Sequence, residues 1–560
     1  MNRFLTFTHR WIGVVLALFM LVWFSSGLII AFFGAPPITR AQQLAHEAPL
    51  ALEDGWLSLG DALHASASAR AKAARGAERA MGAMGGHGED HSGKPRGDAN
   101  IVDARLTRID GAPIWLVEGD RGQRFAISAR TGELQEFSVE SAKRIARGWL
   151  EQDASTNNSG PAVAYVDTIE APIGVRNAET LKPFHRFALA GDGDRRLLVS
   201  ARTGEVVQIS TGTERVLSYA GDWLHLFHWL EPLGAGEYRR DALTWAGFFA
   251  ASGALTGVIL GWLRWRPGFF GRPTYGRGRT QPYREFWFKY HFWAGLLGGT
   301  FALLWATSGY LSTNPWRVFS EATASREELA RYRGGETPEA LTNWRPSASF
   351  ELGPEVVELG LNPLGDDVLF VAYARVGARR ALTATQSASG FGEDAALAAV
   401  QRLAGQTQIA SRELLREYDD YYYPNRRQTA VEKPLPVLRV DLADVGHTSI
   451  YVDPVDGRLL AKFDTSRRVY RWLYTAVHHW DFGVFQQRWL WNVWMAVWIA
   501  FGLTLSASAV VLGWRRLRRT FGVGATKQPV KPAKPLDPQV PATASSTPNF
   551  ALERADSRST

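Results

Sequence analysis

A histidine-led apolar stretch near the start of this chain returns, almost position for position, 282 residues later. The first copy runs His9-Arg10-Trp11-Ile12-Gly13 and on to Trp23, Ser26 and Gly27. The second runs His291-Phe292-Trp293-Ala294-Gly295 and on to Trp305, Ser308 and Gly309. Behind each histidine lies a charge-free run of the length, about 20 residues, that a helix needs to cross the hydrocarbon core of a bilayer. Two further runs have the same character. The four cover residues 11–33, 242–263, 292–311 and 489–514, and none contains Asp, Glu, Lys or Arg. A helix satisfies its own backbone in lipid, so the expected fold is a four-helix transmembrane bundle carrying α+β extracytoplasmic domains. The first run ends in Gly34-Ala35-Pro36-Pro37 with no small-x-small cleavage pattern, and reads as a retained anchor rather than a signal peptide.

Flanking charge orients the spans. Arg3 and Arg10 precede the first. Arg264, Arg266, Arg272, Arg277, Arg279, Arg284 and Lys289, opposed only by Glu285, separate the second from the third. Arg515, Arg516, Arg518 and Arg519 follow the fourth. These segments are expected on the cytoplasmic side. The chain then divides into a first transmembrane helix (1–34), an extracytoplasmic region (35–241) and a second transmembrane helix (242–263). A basic cytoplasmic loop (264–290), a third helix (291–313), a second extracytoplasmic region (314–488), a fourth helix (489–514) and a disordered cytoplasmic tail (515–560) follow. Both termini lie inside. The net charge of +8 comes from arginines beside apolar runs, which points to membrane orientation and not to nucleic acid.

The outer regions read as small α/β modules. Phe125-Ala126-Ile127-Ser128 alternates like a strand and leads into the turn Ala129-Arg130-Thr131-Gly132-Glu133. The pattern recurs 72 residues on as Leu198-Val199-Ser200-Ala201-Arg202-Thr203-Gly204-Glu205, and again from Ile450 through Asp453-Pro454-Val455-Asp456-Gly457-Arg458. Glycine supplies the positive φ such turns need. Residues 139–150 and 395–403 are expected to be helices packed on the sheets. Residues 65–100, rich in Ala, Gly, Ser, Arg and His, read as a flexible insertion; its His87 and His91 have metal-binding spacing in a setting too glycine-rich for a helix. The cluster Tyr418-Asp419-Asp420-Tyr421-Tyr422-Tyr423-Pro424 reads as a structural loop.

There is no cysteine. Disulfides, iron–sulfur clusters, thiolate-ligated haem and covalent haem attachment are thereby excluded. Any haem must then be non-covalent, with histidine or methionine as its axial ligands, and the placement of the histidines is the informative one. His9 and His291 sit at the cytoplasmic edges of spans one and three, while His225 and His228 precede span two and His478 and His479 precede span four. Facing helices of a bundle can offer one imidazole to each face of a porphyrin. His9 with His291 would form an inner site and His228 with His478 an outer one, with His225 and His479 as alternates. A single histidine in such a place is more often an interfacial residue than a ligand; the matched pair at equal depth is what singles out His9 and His291.

Lys289-Tyr290-His291-Phe292-Trp293-Ala294-Gly295, together with Ser308-Gly309-Tyr310-Leu311-Ser312-Thr313-Asn314-Pro315-Trp316, resembles the third span of the PepSY-associated transmembrane family of bacterial iron-regulated membrane proteins. His9-Arg10-Trp11-Ile12-Gly13, His228-Trp229-Leu230 and Arg471-Trp472-Leu473 with Val477-His478 and Asp481-Phe482 resemble its other segments. The glycine hairpins resemble PepSY repeats. The resemblance implies an inner-membrane protein with four spans, periplasmic domains and two non-covalent b-type haems, acting as a reductase of ferric siderophores for iron uptake. It maps the haem ligands onto His9, His228, His291 and His478. Relatives commonly carry a further histidine after Trp472-Leu473, where this chain has Tyr474. The implied partners are membrane lipid, a ferric chelate as electron acceptor and a separate donor, either quinol or a cytoplasmic flavoprotein. No Gly-x-Gly-x-x-Gly follows a strand, and the cytoplasmic loop is too short to fold a flavin module. The competing expectation is a non-enzymatic, membrane-anchored PepSY protein that binds peptides or regulates a protease without a cofactor.

Overall fold

The structure is a computed structural model of the 560-residue chain. It describes residues 2–33, 38–68, 101–119, 122–153, 162–175, 178–189, 194–334, 339–364, 367–382, 391–425 and 428–521. The expected insertion from residue 69 onward, with His87 and His91, and the tail beyond 521 lie outside the described residues. The chain divides into two units, Met1–Gly513 and Trp514–Thr560. Described residues of the second unit are a helix end, with Arg518 and Arg519 in its last turn, and Phe521.

The described residues include four long helices: α1 (Asn2–Phe33), α2 (Arg239–Arg264), α3 (Phe286–Ser312) and α4 (Arg488–Thr520). Three of them, α1, α2 and α4, are long and apolar enough to cross a membrane. Helix α3 is 27 residues long and is not one of these three. Small residues set how closely the helices approach. A Cβ on Gly298 of α3 would lie 2.6 Å from Phe501 Cβ on α4, and Gly502 of α4 receives the ring of Phe24 from α1. Helices α2, α3 and α4 each extend past the charge-free run within them, from Arg239, from Phe286 and to Thr520 respectively.

The two outer regions are interleaved rather than separate. Strands β1 (Ile101–Ile109), β2 (Ala112–Gly119), β3 (Arg124–Ser128) and β4 (Leu134–Gln135) come from the first region. The second region supplies β9 (Val356–Leu364), β10 (Asp367–Ala374) and β11 (Arg379–Leu382). They form one seven-stranded antiparallel sheet in the order β11-β10-β9-β1-β2-β3-β4, joined where Leu106 pairs with Leu359. Each region also builds its own four-stranded meander. One is β5 (Val163–Ile169), β6 (Phe184–Leu189), β7 (Arg196–Ser200) and β8 (Val206–Ser210); the other is β12 (Ile409–Leu415), β13 (Val437–Leu442), β14 (Ser449–Val452) and β15 (Leu459–Phe463).

A helix covers each meander at the expected place. Ala142, Ala146 and Leu150 of Val139–Asp153 pack on Phe187, Leu197 and Val199. Ala396, Ala399 and Leu403 of Gly392–Ala404 pack on Leu438, Val440 and Ile450. The three repeated turns fold alike. Gly132, Gly204 and Gly457 have φ of 71°, 74° and 70°, and each donates its amide to the residue four before it at 2.9 Å.

The turn residues also tie the sheets together. Glu358 of β9 is fully buried and paired with Arg40 and, at 3.3 Å, with Arg105 of β1; Arg105 reaches on to Glu205 in the turn after β7 at 3.3 Å. Arg379 of β11 pairs with Asp453 in the turn after β14 at 2.8 Å. Glu47, 3.6 Å from Arg40, competes with Glu358 for the same cation. Burial, reinforced by the charge of Glu358, pushes its carboxyl up to about 8 from an ordinary value of 4.5. In the folded protein this group therefore binds its proton more tightly than in the unfolded chain. The associated stability is fully present below about 4.5 and is lost as pH rises through about 8. Thermal unfolding of the outer sheets should shift down by a few degrees between pH 5 and pH 8.5. Glu47→Gln should flatten that dependence, and near-ultraviolet circular dichroism melts at the two pH values provide the check. An unchanged slope in the variant would show that Glu47 does not set it.

Candidate functional site

His9 of α1 and His291 of α3 face each other with ring centres 6.3 Å apart. His9 Nδ1 lies 3.0 Å from the Gly253 carbonyl oxygen of α2. A carbonyl oxygen only accepts, so Nδ1 carries the ring proton and Nε2 presents its lone pair. His291 Nδ1 lies 3.0 Å from Ser508 Oγ of α4. Ser508 commits its single hydroxyl proton to the Leu505 carbonyl at 2.8 Å, so it too accepts from the imidazole. Gly257 of α2 makes room for His9: a Cβ there would sit 2.7 Å from His9 Cε1.

A second pair forms where each outer region returns to the helices. The helix Gly212–Ser218 runs into the π-helical turn Tyr219–Trp223 and then His225. The helix Thr465–Tyr470 runs through the π-helical turn Arg471–Ala476 into Val477–His479. Such widened turns are frequent at functional sites. With an offset of 253 residues the two segments superpose in role: His225 matches His478, and Phe227 (φ 59°) matches Trp480 (φ 51°), both left-handed.

The repeated Trp, Ser and Gly of the opening motif are what hold these histidines. Trp23 Nε1 donates to the His225 carbonyl at 3.0 Å and Trp305 Nε1 to that of His478 at 3.2 Å. Ser26 Oγ is 3.0 Å from His225 Nδ1, and Ser308 Oγ is 3.0 Å from His478 Nδ1. Both serines give their proton to a backbone carbonyl three residues back, at 3.1 Å, and so accept from the imidazoles. A Cβ on Gly27 or Gly309 would lie 3.5 Å from His225 Cε1 or 3.6 Å from His478 Cε1. His225 and His478 lie within electrostatic reach of each other. Even the neighbouring rings repeat, with Phe19 on Phe227 and Phe301 on Trp480 at 5.6 Å each.

His228, expected opposite His478, is turned to Glu231 Oε1 at 2.9 Å. The 253-residue offset matches it with Asp481. The alternate, His225, is the residue held by α1 as His478 is held by α3. His479 hydrogen-bonds to the Thr475 carbonyl at 3.2 Å. Tyr474 places its ring 5.5 Å from the rings of both His478 and His479, so it packs beside the outer pair. The tyrosine–aspartate loop is structural: Tyr422 is fully buried, stacked on Tyr451 at 5.3 Å, and Asp419 accepts the amides of Tyr421 and Tyr422.

Residues 6–374 match the model of the PepSY-associated TM region. The chain belongs to that family. No curated protein matches it. Membership in the PepSY-associated family, with three apolar helices of spanning length, makes this a membrane protein. The match ends at 374, before β12 and α4, yet the internal repeat carries the same histidine-holding pattern into that last third.

Each of the four histidines thus offers an Nε2 lone pair with its Nδ1 fixed by a neighbouring helix, the outer-shell arrangement that orients imidazole ligands toward metals. A ligating imidazole nitrogen lies about 2 Å from its metal, so two rings that held one metal ion between them would have centres about 6 Å apart. The 6.3 Å separation of His9 and His291 fits that distance. The donor set is wholly neutral nitrogen, as bis-imidazole haem requires.

Proposed function

We propose that this protein is a four-span, inner-membrane electron-transfer protein with two non-covalent b-type haems, one between His9 and His291 and one between His225 and His478. Its termini are cytoplasmic and its sheets periplasmic. It reduces a ferric chelate on the periplasmic side for iron acquisition, drawing electrons from a separate donor, either quinol or a cytoplasmic flavoprotein. The observation that carries the reading is the tautomer set: four histidines, in two pairs, each with Nδ1 donating to a partner from another segment and Nε2 left for a ligand.

Haem bound at such sites supplies reversible one-electron chemistry. The protein's own residues fix where that happens. Ser26, which holds His225, is 17 residues along α1 from His9, about 25 Å at the helical rise. The two pairs are therefore separated by most of a bilayer core, about 30 Å. Glycines beside the imidazoles keep bulk away from the rings, and apolar helices keep water out. One electron delivered outward converts Fe(III) to Fe(II). Hard oxygen ligands hold Fe(II) less tightly, and the chelate opens.

The test is the absorption spectrum of the detergent-purified protein, oxidised and dithionite-reduced. Low-spin bis-imidazole bands and two haems per chain by pyridine haemochrome are expected. Colourless protein from haem-replete cells would overturn the reading and leave a membrane-anchored PepSY binding protein.

A further inference from the structure

The second meander has two faces. Leu438, Val440, Ile450 and Val452 point to the helix Gly392–Ala404. The alternate residues Arg439, Asp441, Ser449 and Tyr451 face the other way, as the two-residue period of a strand requires. Over that face, Tyr421, His447 and Arg468 complete a cavity of about 350 Å³.

The charges lining it are unequal. Arg439 is committed to Asp441 at 2.9 Å and to Glu413 at 3.5 Å. Asp441 also accepts hydrogen bonds from Ser411 and Ser449. Arg468 has no such neutraliser. Its guanidinium donates to the His447 carbonyl at 2.7 Å and to Ser449 Oγ at 2.6 Å, and lies 5.7 Å from the centre of the Tyr421 ring. Among the described residues no carboxylate pairs with it. A guanidinium fork held by neutral groups, with an aromatic wall beside it, is suited to a carboxylate. The volume is at the low end for ligand pockets, which selects a small acid or one arm of a chelator.

The cavity is joined to the outer histidine. Arg468 lies on Thr465–Tyr470, the helix that continues into His478 ten residues later. One turn on, Trp472 Nε1 donates to the hydroxyl of the cavity residue Tyr421 at 3.3 Å. Trp472 then contacts Phe482, and Phe482 contacts Trp480, each at 5.8 Å.

We propose that this cavity binds the carboxylate of a small hydroxycarboxylic acid, free or as its ferric chelate, and so holds the electron acceptor at the base of the segment that carries His478. The inference rests on the function proposed above for its electron path, but not for its binding. The test is calorimetric titration of the full-length, haem-bearing protein in detergent with citrate and, separately, with redox-inert Ga(III)–citrate. Saturable binding of either is expected, tighter for the gallium complex if the chelate is the natural form and equal if the free acid is. Arg468→Gln should weaken it at least tenfold, Arg468→Lys should weaken it less, and Arg416→Gln, on an exposed side chain outside the cavity, should leave it unchanged. An unaltered Soret band certifies that the variants fold. No binding by the unmodified protein, or equal binding by Arg468→Gln, overturns the proposal. Citrate binding by a protein without haem would instead overturn the electron-transfer reading and leave the cavity assigned.

Discussion

His225→Ala is expected to remove one of the two proposed haems, whereas His228→Ala leaves haem content and spectrum unchanged. The two residues are three apart in sequence, and both precede α2, so composition and hydropathy do not separate them. Their surroundings do. His225 is held at three points by α1, through the Trp23 indole, the Ser26 hydroxyl and the close face of Gly27. His228 is half-buried and bonded at Nδ1 to Glu231, three residues on in its own turn, instead of to α1. Pyridine haemochrome assay of each variant reads the difference directly. Ser26→Ala should act in the same direction as His225→Ala but less completely. It deletes the acceptor that fixes the ring, a change that lowers ligand affinity by about 10- to 100-fold. Loss of haem in His228→Ala with retention in His225→Ala would overturn the outer assignment.

The same comparison shows what the sequence made legible. The repeat of His, Trp, Ser and Gly at a 282-residue offset is visible in the chain, and so is the pairing of His9 with His291. The reason for the repeat is not. Trp23, Ser26 and Gly27 act on a histidine some 200 residues away, and Trp305, Ser308 and Gly309 on one about 170 residues away. Such a long-range contact leaves no local periodicity to read. A signal existed all the same: aligning the segments before α2 and α4 at the 253-residue offset sets His225 on His478 and His228 on Asp481. The family-like segment His228-Trp229-Leu230 lies three residues beyond His225 in that stretch. In the outer regions the three glycine turns and the two covering helices were readable from short-range patterns. The shared seven-stranded sheet was not, because the pairing of β1 with β9 joins residues about 250 apart, and both strands look like members of their own region. Gly253 and Ser508, which fix the inner tautomers, were equally hidden, since small residues in an apolar helix ordinarily signal packing alone.

His291→Ala is expected to abolish the inner haem and leave the outer one. The outer histidines are held by Ser26 and Ser308, residues that the substitution does not touch. A potentiometric titration should pass from two steps to one. Reduction of a ferric chelate by the protein in liposomes with an enclosed donor should fall at least tenfold, because one end of the path is lost while the acceptor end is intact. Deleting a ligand is a blunt test, and Gly257→Val is a finer one. The glycine lies against His9, and a Cβ would come within 2.7 Å of His9 Cε1. The added side chain must turn the imidazole away from Gly253, although both histidines remain in the sequence. The same single-step titration is therefore expected from a variant that has lost no ligand. Gly13→Ala, where a Cβ meets nothing within 4 Å, should keep both steps. If Gly257→Val also keeps both, His9 is not confined as the structure has it and the inner pair does not form the site. If it loses one while Gly13→Ala loses none, the placement of the ring by its neighbours, and not merely the presence of a histidine, governs haem binding.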